Sequence, residues 1–163
     1  MNVKSFSLHS VKVKPLIISL IIPFAAGLIS YFLSGDIKAV YADIKKPFFA
    51  PPHQIFPVVW TILYLLMGIS CYMIFVSGYS GLRKKALTLY AVQLVLNALW
   101  TFIFFKLEMF LLALIWVSAI LAVTAVMCVY FYKIEPVAAY LQIPYLLWLT
   151  FALMLNAGVY FLN

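Results

Sequence analysis

Charged residues in this chain cluster in a few short segments. Between them run five long stretches with no charge at all: Pro15 to Leu33, Pro57 to Val76, Ala86 to Phe105, Phe110 to Tyr132 and Val137 to Leu162. A helix crosses the ~30 Å hydrocarbon layer in about 20 residues, and each stretch is close to that length or longer. In lipid every backbone amide must be paired within its own segment, so uninterrupted apolar runs of this kind are helices. A transmembrane barrel would alternate inward and outward residues over about ten positions, a pattern these stretches lack. The expectation is an all-α integral membrane protein, a five-transmembrane-helix bundle forming one domain over residues 1–163, with spans near 15–33, 57–76, 86–105, 110–132 and 137–162.

The connections are unequal. Lys106 to Met109 and Lys133 to Pro136 are too short for anything but antiparallel neighbours, and Ser77 to Lys85 reads as a polar turn with a basic end. Loop 1, residues 34–56, is the long one. Asp36 is placed to cap a short helix in which Ile37, Val40, Tyr41 and Ile44 recur at helical spacing, an element expected to rest on the membrane interface. The strip that follows contains Pro47, Phe49, Pro51 and Pro52 and excludes helix, because proline lacks the amide donor. A stiff aromatic strip tied to a bundle is either a lid or a surface connector.

Composition sharpens this. With 67% hydrophobic and 9% charged residues, a soluble fold of 163 residues has too little interior to hide its apolar surface. The net charge of +7 sits wholly in loops and the N-terminal segment, and it reads as a topology signal with no nucleic-acid partner implied. Lys4, Lys12, Lys14, Arg83, Lys84, Lys85 and Lys133 fall on one side, against Lys38, Lys45, Lys46 and Lys106 on the other. The positive-inside rule then places the N-terminus in the cytoplasm and the C-terminus outside. A bacterial or archaeal cell membrane is the expected location, an expectation separate from that rule. Pro15 to Leu33 exceeds a signal-peptide core, so a retained first span is expected. Cys71 and Cys128 read as small apolar fillers, and His53 stands alone, so no metal site is expected.

Polar and aromatic side chains inside the spans recur on shared faces. Gln93, Asn97, Trp100 and Phe104 follow one face of the third span, Trp60 and Tyr64 one face of the second, and Tyr145, Trp148, Ala152 and Asn156 one face of the fifth. Carboxamides facing lipid are costly, so these faces point inward. Two arrangements satisfy that requirement: interhelical hydrogen bonds with aromatic packing, or a cavity for a flat, mostly apolar ligand. No ionisable group other than tyrosine and cysteine lies at mid-membrane depth, which argues against ion-coupled carriers and acid–base catalysis. Trp116 lacks polar company and reads as packing or lipid-facing.

The string Lys46-Pro47-Phe48-Phe49-Ala50-Pro51-Pro52, followed by Val59-Trp60-Thr61-Ile62-Leu63-Tyr64, resembles the TspO/MBR family of translocator proteins and tryptophan-rich sensory proteins, also called peripheral benzodiazepine receptors. The blocks Gln93 to Trp100 and Pro136 through Trp148 to Asn156 match in the same order. The resemblance implies a five-helix bundle, commonly a homodimer, that binds protoporphyrin IX or haem and accepts isoquinoline and benzodiazepine ligands, with no cofactor required. It places the ligand beneath loop 1, among Trp60, Tyr64, Gln93, Asn97, Trp100, Phe104, Tyr145, Trp148, Ala152 and Asn156, under a lid of Pro47, Phe49, Pro51 and Pro52. The ring would lie between Trp60, Trp100 and Trp148, with Asn97 and Asn156 bonding its polar edges. It also implies, for bacterial members, light-dependent porphyrin breakdown in which Trp60 and Trp148 would be the catalytic residues. A passive carrier of apolar ligands is the third alternative. Gly27, or small residues of the third span, would serve a dimer contact.

This chain departs from the pattern in places. Phe49, Gln54 and Leu112 stand where the family often has tryptophan. Tyr160 is followed by Phe161, Leu162 and Asn163 without the basic residue of the sterol motif, so no sterol preference is expected.

Overall fold

The computed structural model describes residues 11–78 and 80–163; Lys4 and His9 lie outside them. Its long helices are α1 (Val13–Leu33), α3 (Ile55–Val76), α4 (Ser80–Thr101), α5 (Phe110–Ile134) and α7 (Ile143–Leu162), with short helices α2 (Ile37–Asp43) in loop 1 and α6 (Pro136–Tyr140) before α7. Counting α6 and α7 as one span, five segments are long and apolar enough to cross a membrane. The fold is all-α, as the apolar pattern requires.

Three differences from the sequence expectation go beyond a residue or two at a helix end. Helix α4 starts near Ser80 instead of Ala86, because Arg83, Lys84 and Lys85 continue the helix with their side chains at its polar end, where Arg83 Nη1 reaches the Ser77 carbonyl at 3.1 Å. The fifth span is broken at Leu141 and Gln142: Pro144 has no amide to donate to the carbonyl one turn back, so α6 ends and α7 begins anew. Finally, α4 ends in a π-helical turn, Phe102–Lys106, that adds one residue to its last turn.

Around the bundle, α1 packs against α3 and α4, α4 against α5, and α5 against α7, while α6 joins α3 to α5. Close approach of α1 and α3 depends on glycine. A Cβ on Gly68 would stand 2.9 Å from both the Leu20 Cα and the Ser19 carbonyl oxygen. That carbonyl is the one Pro23, a turn later in α1, cannot pair with. Between α3 and α6, Ser70 Oγ donates to the Ala138 carbonyl at 2.7 Å. The half of the bundle near α6 is solid, filled by Met67, Ile74, Ala86, Tyr90, Met127 and Phe131. The half beneath loop 1 is not.

Loop 1 turns over that half. Gly35, at φ +71°, takes the left-handed conformation that ends α1 at low steric cost. Asp36 caps α2 by accepting from the Ala39 amide at 3.0 Å. Helix α2 forms in loop 1 as expected, and its apolar face, Val40, Tyr41 and Ile44, packs with Ile103, Phe104, Ala113 and Val159, making it a roof on the bundle. The proline strip is fastened to the end of α7, where Pro47 lies against Gly158. The Asn163 amide accepts from the Lys45 N–H at 3.0 Å and donates to its carbonyl at 2.9 Å.

Candidate functional site

A cavity of about 700 Å³ occupies the loop 1 half of the bundle. Its walls come from every long helix: Gly27, Ser30 and Tyr31 of α1, Trp60 and Tyr64 of α3, Asn97, Trp100 and Thr101 of α4, Val117 and Ile120 of α5, and Trp148, Ala152 and Asn156 of α7. This volume is in the range of small-molecule sites, and the lining is mostly apolar with a few amides and hydroxyls, the usual character of such sites. Antiparallel connectivity explains the convergence. The C-terminal halves of α1, α4 and α7 and the N-terminal halves of α3 and α5 all lie at the loop 1 end.

The aromatic walls are braced. Trp60 lies against Tyr64 with ring centres 5.2 Å apart and meets Tyr145 edge-on at 6.2 Å. The Trp100 indole donates to Asn156 Oδ1 at 3.2 Å, while Asn156 Nδ2 donates to the Ala152 carbonyl at 2.7 Å. Each end of that amide holds one hydrogen bond, so Asn156 orients Trp100 and keeps one N–H and one lone pair beyond these two bonds. Asn97 faces Tyr64 across the cavity wall. Ser30 and Thr101 are hydrogen-bonded to each other and tie α1 to α4 at the same level. Gly27 is taken up within the chain, because the Tyr64 ring occupies the space where its Cβ would stand, and it does not present a free dimer contact.

Seven of the ten residues expected to surround a ligand border the cavity: Trp60, Tyr64, Asn97, Trp100, Trp148, Ala152 and Asn156. The other three do not. Phe104 is buried beneath α2 because the π-helical turn advances the face by one residue and brings Phe105 to the wall in its place. Gln93 lies a turn deeper, fully buried, with its Oε1 accepting from the Tyr145 hydroxyl at 3.1 Å. That pair is an interhelical hydrogen bond below the cavity, which is the packing alternative at this one level.

The lid strip also sits differently from expectation. Pro47, Phe49, Pro51 and Pro52 do not border the cavity; its roof is Asp36, Ile37, Lys38 and Tyr41 with His53 and Phe56. The strip acts through neighbours. Tyr41, whose hydroxyl is raised above the usual tyrosine range by burial, donates to the Pro51 carbonyl at 2.6 Å. Phe49 meets Phe151 edge-on at 6.2 Å. Lys46 caps the end of α2 by donating to the Tyr41 and Ile44 carbonyls. Sequence spacing missed Phe56, Phe105 and Phe151, and an aromatic residue in an apolar run carries no polar signal to mark it. Trp116 is not free of polar contact: its indole donates to the Leu96 carbonyl at 2.8 Å and stitches α5 to α4.

The TspO/MBR family profile matches residues 19–162. The chain is 36% identical to the tryptophan-rich protein TspO of Archaeoglobus fulgidus over 149 residues, 91% of this chain and 96% of that one. It is 35% identical to the human translocator protein over 133 residues, 80% and 79% of the two chains. It is 36% identical to the tryptophan-rich sensory protein of Cereibacter sphaeroides over 123 residues, 76% of each. A match over nearly all of the spans, joined to a five-span bundle with its tryptophans gathered under loop 1, makes this chain a multi-pass membrane protein that belongs to the TspO/MBR family.

Proposed function

We propose that this protein is a membrane translocator or sensor whose cavity binds a tetrapyrrole of the protoporphyrin IX or haem type, and accepts flat isoquinoline and benzodiazepine ligands in the same space. One observation carries the reading: three of the four tryptophans, on three separate helices, border one cavity. Indole faces favour a flat conjugated ring through dispersion and offset stacking. Lys38 and His53 at the roof suit the carboxylates of such a ring, leaving its apolar body against Val117, Ile120 and Leu149. The relatives named translocator and sensory proteins support the coarser role. By charge asymmetry the N-terminus is cytoplasmic, which sets the roof of the cavity on the outer side of a bacterial or archaeal membrane. The protein is proposed to act as a homodimer.

A second reading is favoured by the placement of Trp60 and Trp148 on the same cavity. Light-excited porphyrin and oxygen need no acid or base, only an oxidisable indole nearby, so porphyrin breakdown suits this lining. A difference spectrum of the purified protein with protoporphyrin IX, first in darkness and then under illumination, tests both. A binder shifts the porphyrin bands and preserves them in light; an enzyme bleaches them, and more slowly with Trp60→Phe and Trp148→Phe combined. Bands unshifted in darkness refute the tetrapyrrole reading.

A further inference from the structure

Spans α3 and α6–α7 are fastened at one end and part at the other. Ser70 and Ala138 hold them together by the 2.7 Å hydrogen bond near α6. Towards loop 1, α3 and α7 meet only sparsely, unlike the closely packed pairs α1 with α3 and α5 with α7. The opening between them is filled by side chains. On its outer face is an apolar groove walled by Val59, Ile62, Leu63, Pro144 and Leu147. Trp148 and Phe151 line both this groove and the internal cavity, so a two-residue partition separates the membrane-facing surface from the site.

The partition is aromatic and backed from loop 1. Phe49 meets Phe151 at 6.2 Å, Phe151 meets Trp148 at 5.5 Å, and Trp148 meets Phe56 at 5.9 Å. Two of these ring contacts are edge-on and one is tilted, and rotation about χ1 and χ2 rearranges them without breaking a hydrogen bond between the rings. On the alternative path, under loop 1, the loop is tied down by the paired Lys45–Asn163 hydrogen bonds, the Pro47–Gly158 contact and the Tyr41–Pro51 bond. A flat apolar molecule dissolves in the bilayer, so the side passage also faces the phase where it is concentrated.

We propose that Trp148 and Phe151 form a lateral gate between α3 and α7 through which a bilayer-dissolved flat ligand reaches the cavity. This rests on the cavity being a ligand site. The test is the rate at which protoporphyrin IX, equilibrated into phosphatidylcholine vesicles, binds the vesicle-embedded protein, followed by its own absorbance. Ile62→Phe with Leu147→Phe narrows the outer groove and replaces no residue that borders the cavity. The gate requires association and dissociation to slow together several-fold, with unchanged equilibrium affinity. Parental rates in that double variant, with faster exchange in Asn163→Ala, overturn it in favour of passage under loop 1. If the parental protein does not bind porphyrin at all, the tetrapyrrole reading fails, and the gate is judged without ligand. Phosphatidylcholine brominated along its chains should quench Trp148 through the groove, and Trp148→Phe or the narrowed groove should remove much of that quenching. Bromine quenching insensitive to both changes overturns the gate.

Discussion

Adding one methyl group at Gly27 tests how closely the cavity wall is defined. A Cβ there would stand 2.8 Å from both Cζ and Oη of Tyr64, and closer still to Cε2. Ordinary carbon contacts are about 3.5–4.0 Å, so the ring must retreat by about 0.7–1.2 Å or more. Phe24 flanks it at 5.7 Å and Trp60 at 5.2 Å, leaving the cavity as the open direction. Overpacking of this kind costs about 1–3 kcal/mol in a filled core. Here the ring yields into empty space, so the free protein is spared most of that cost and a bound ligand meets it. A binding loss of about 1–2 kcal/mol raises Kd about 5- to 30-fold. Titration of Gly27→Ala with protoporphyrin IX by absorbance measures this, with thermal unfolding alongside. Gly78→Ala is the control, since a Cβ there meets nothing within 4 Å. If Gly27→Ala binds like the control, the placement of Tyr64 on the ligand wall is wrong.

Other substitutions divide the roles of neighbouring residues. Gly68→Ala drives a methyl into the α1 backbone, and thermal unfolding in micelles should show a loss of about 1–2 kcal/mol after allowing for alanine's better helix propensity. Phe104→Ala should cost about 3–5 kcal/mol of stability by emptying the contact under α2, whereas Phe105→Ala, at a half-buried position, should cost less in unfolding and weaken ligand binding more. Asn156→Leu should cost about 1 kcal/mol in unfolding by leaving the Trp100 indole unpaired, and should weaken binding as Trp100 loses its fixed orientation.

The spans, their antiparallel order and the inward faces of α3, α4 and α7 were legible because helical periodicity and the cost of amides in lipid act locally. Asn97, Trp100, Trp148 and Asn156 follow from those two facts alone. What local rules missed came from the backbone and from third parties. The π-helical turn exchanges Phe104 for Phe105, and nothing in Phe102–Lys106 marks the extra residue. The seat under helix α2 is made by Phe104 and Val159, which are distant from it in sequence, so local periodicity gave the helix but not its place on the bundle. Phe49 presents its aromatic surface to Phe151 instead of to the cavity. Gln93 and Tyr145 share the faces of cavity residues, yet bond to each other one turn too deep.

Filling the cavity is the most direct test of the account. Ala152 borders the cavity on α7, and a phenyl ring placed there by Ala152→Phe occupies space a flat ligand would need. Protoporphyrin IX binding should be lost from Ala152→Phe while its thermal unfolding stays at or above that of the parental protein. Binding at parental affinity in a folded Ala152→Phe variant would contradict a ligand site inside the bundle.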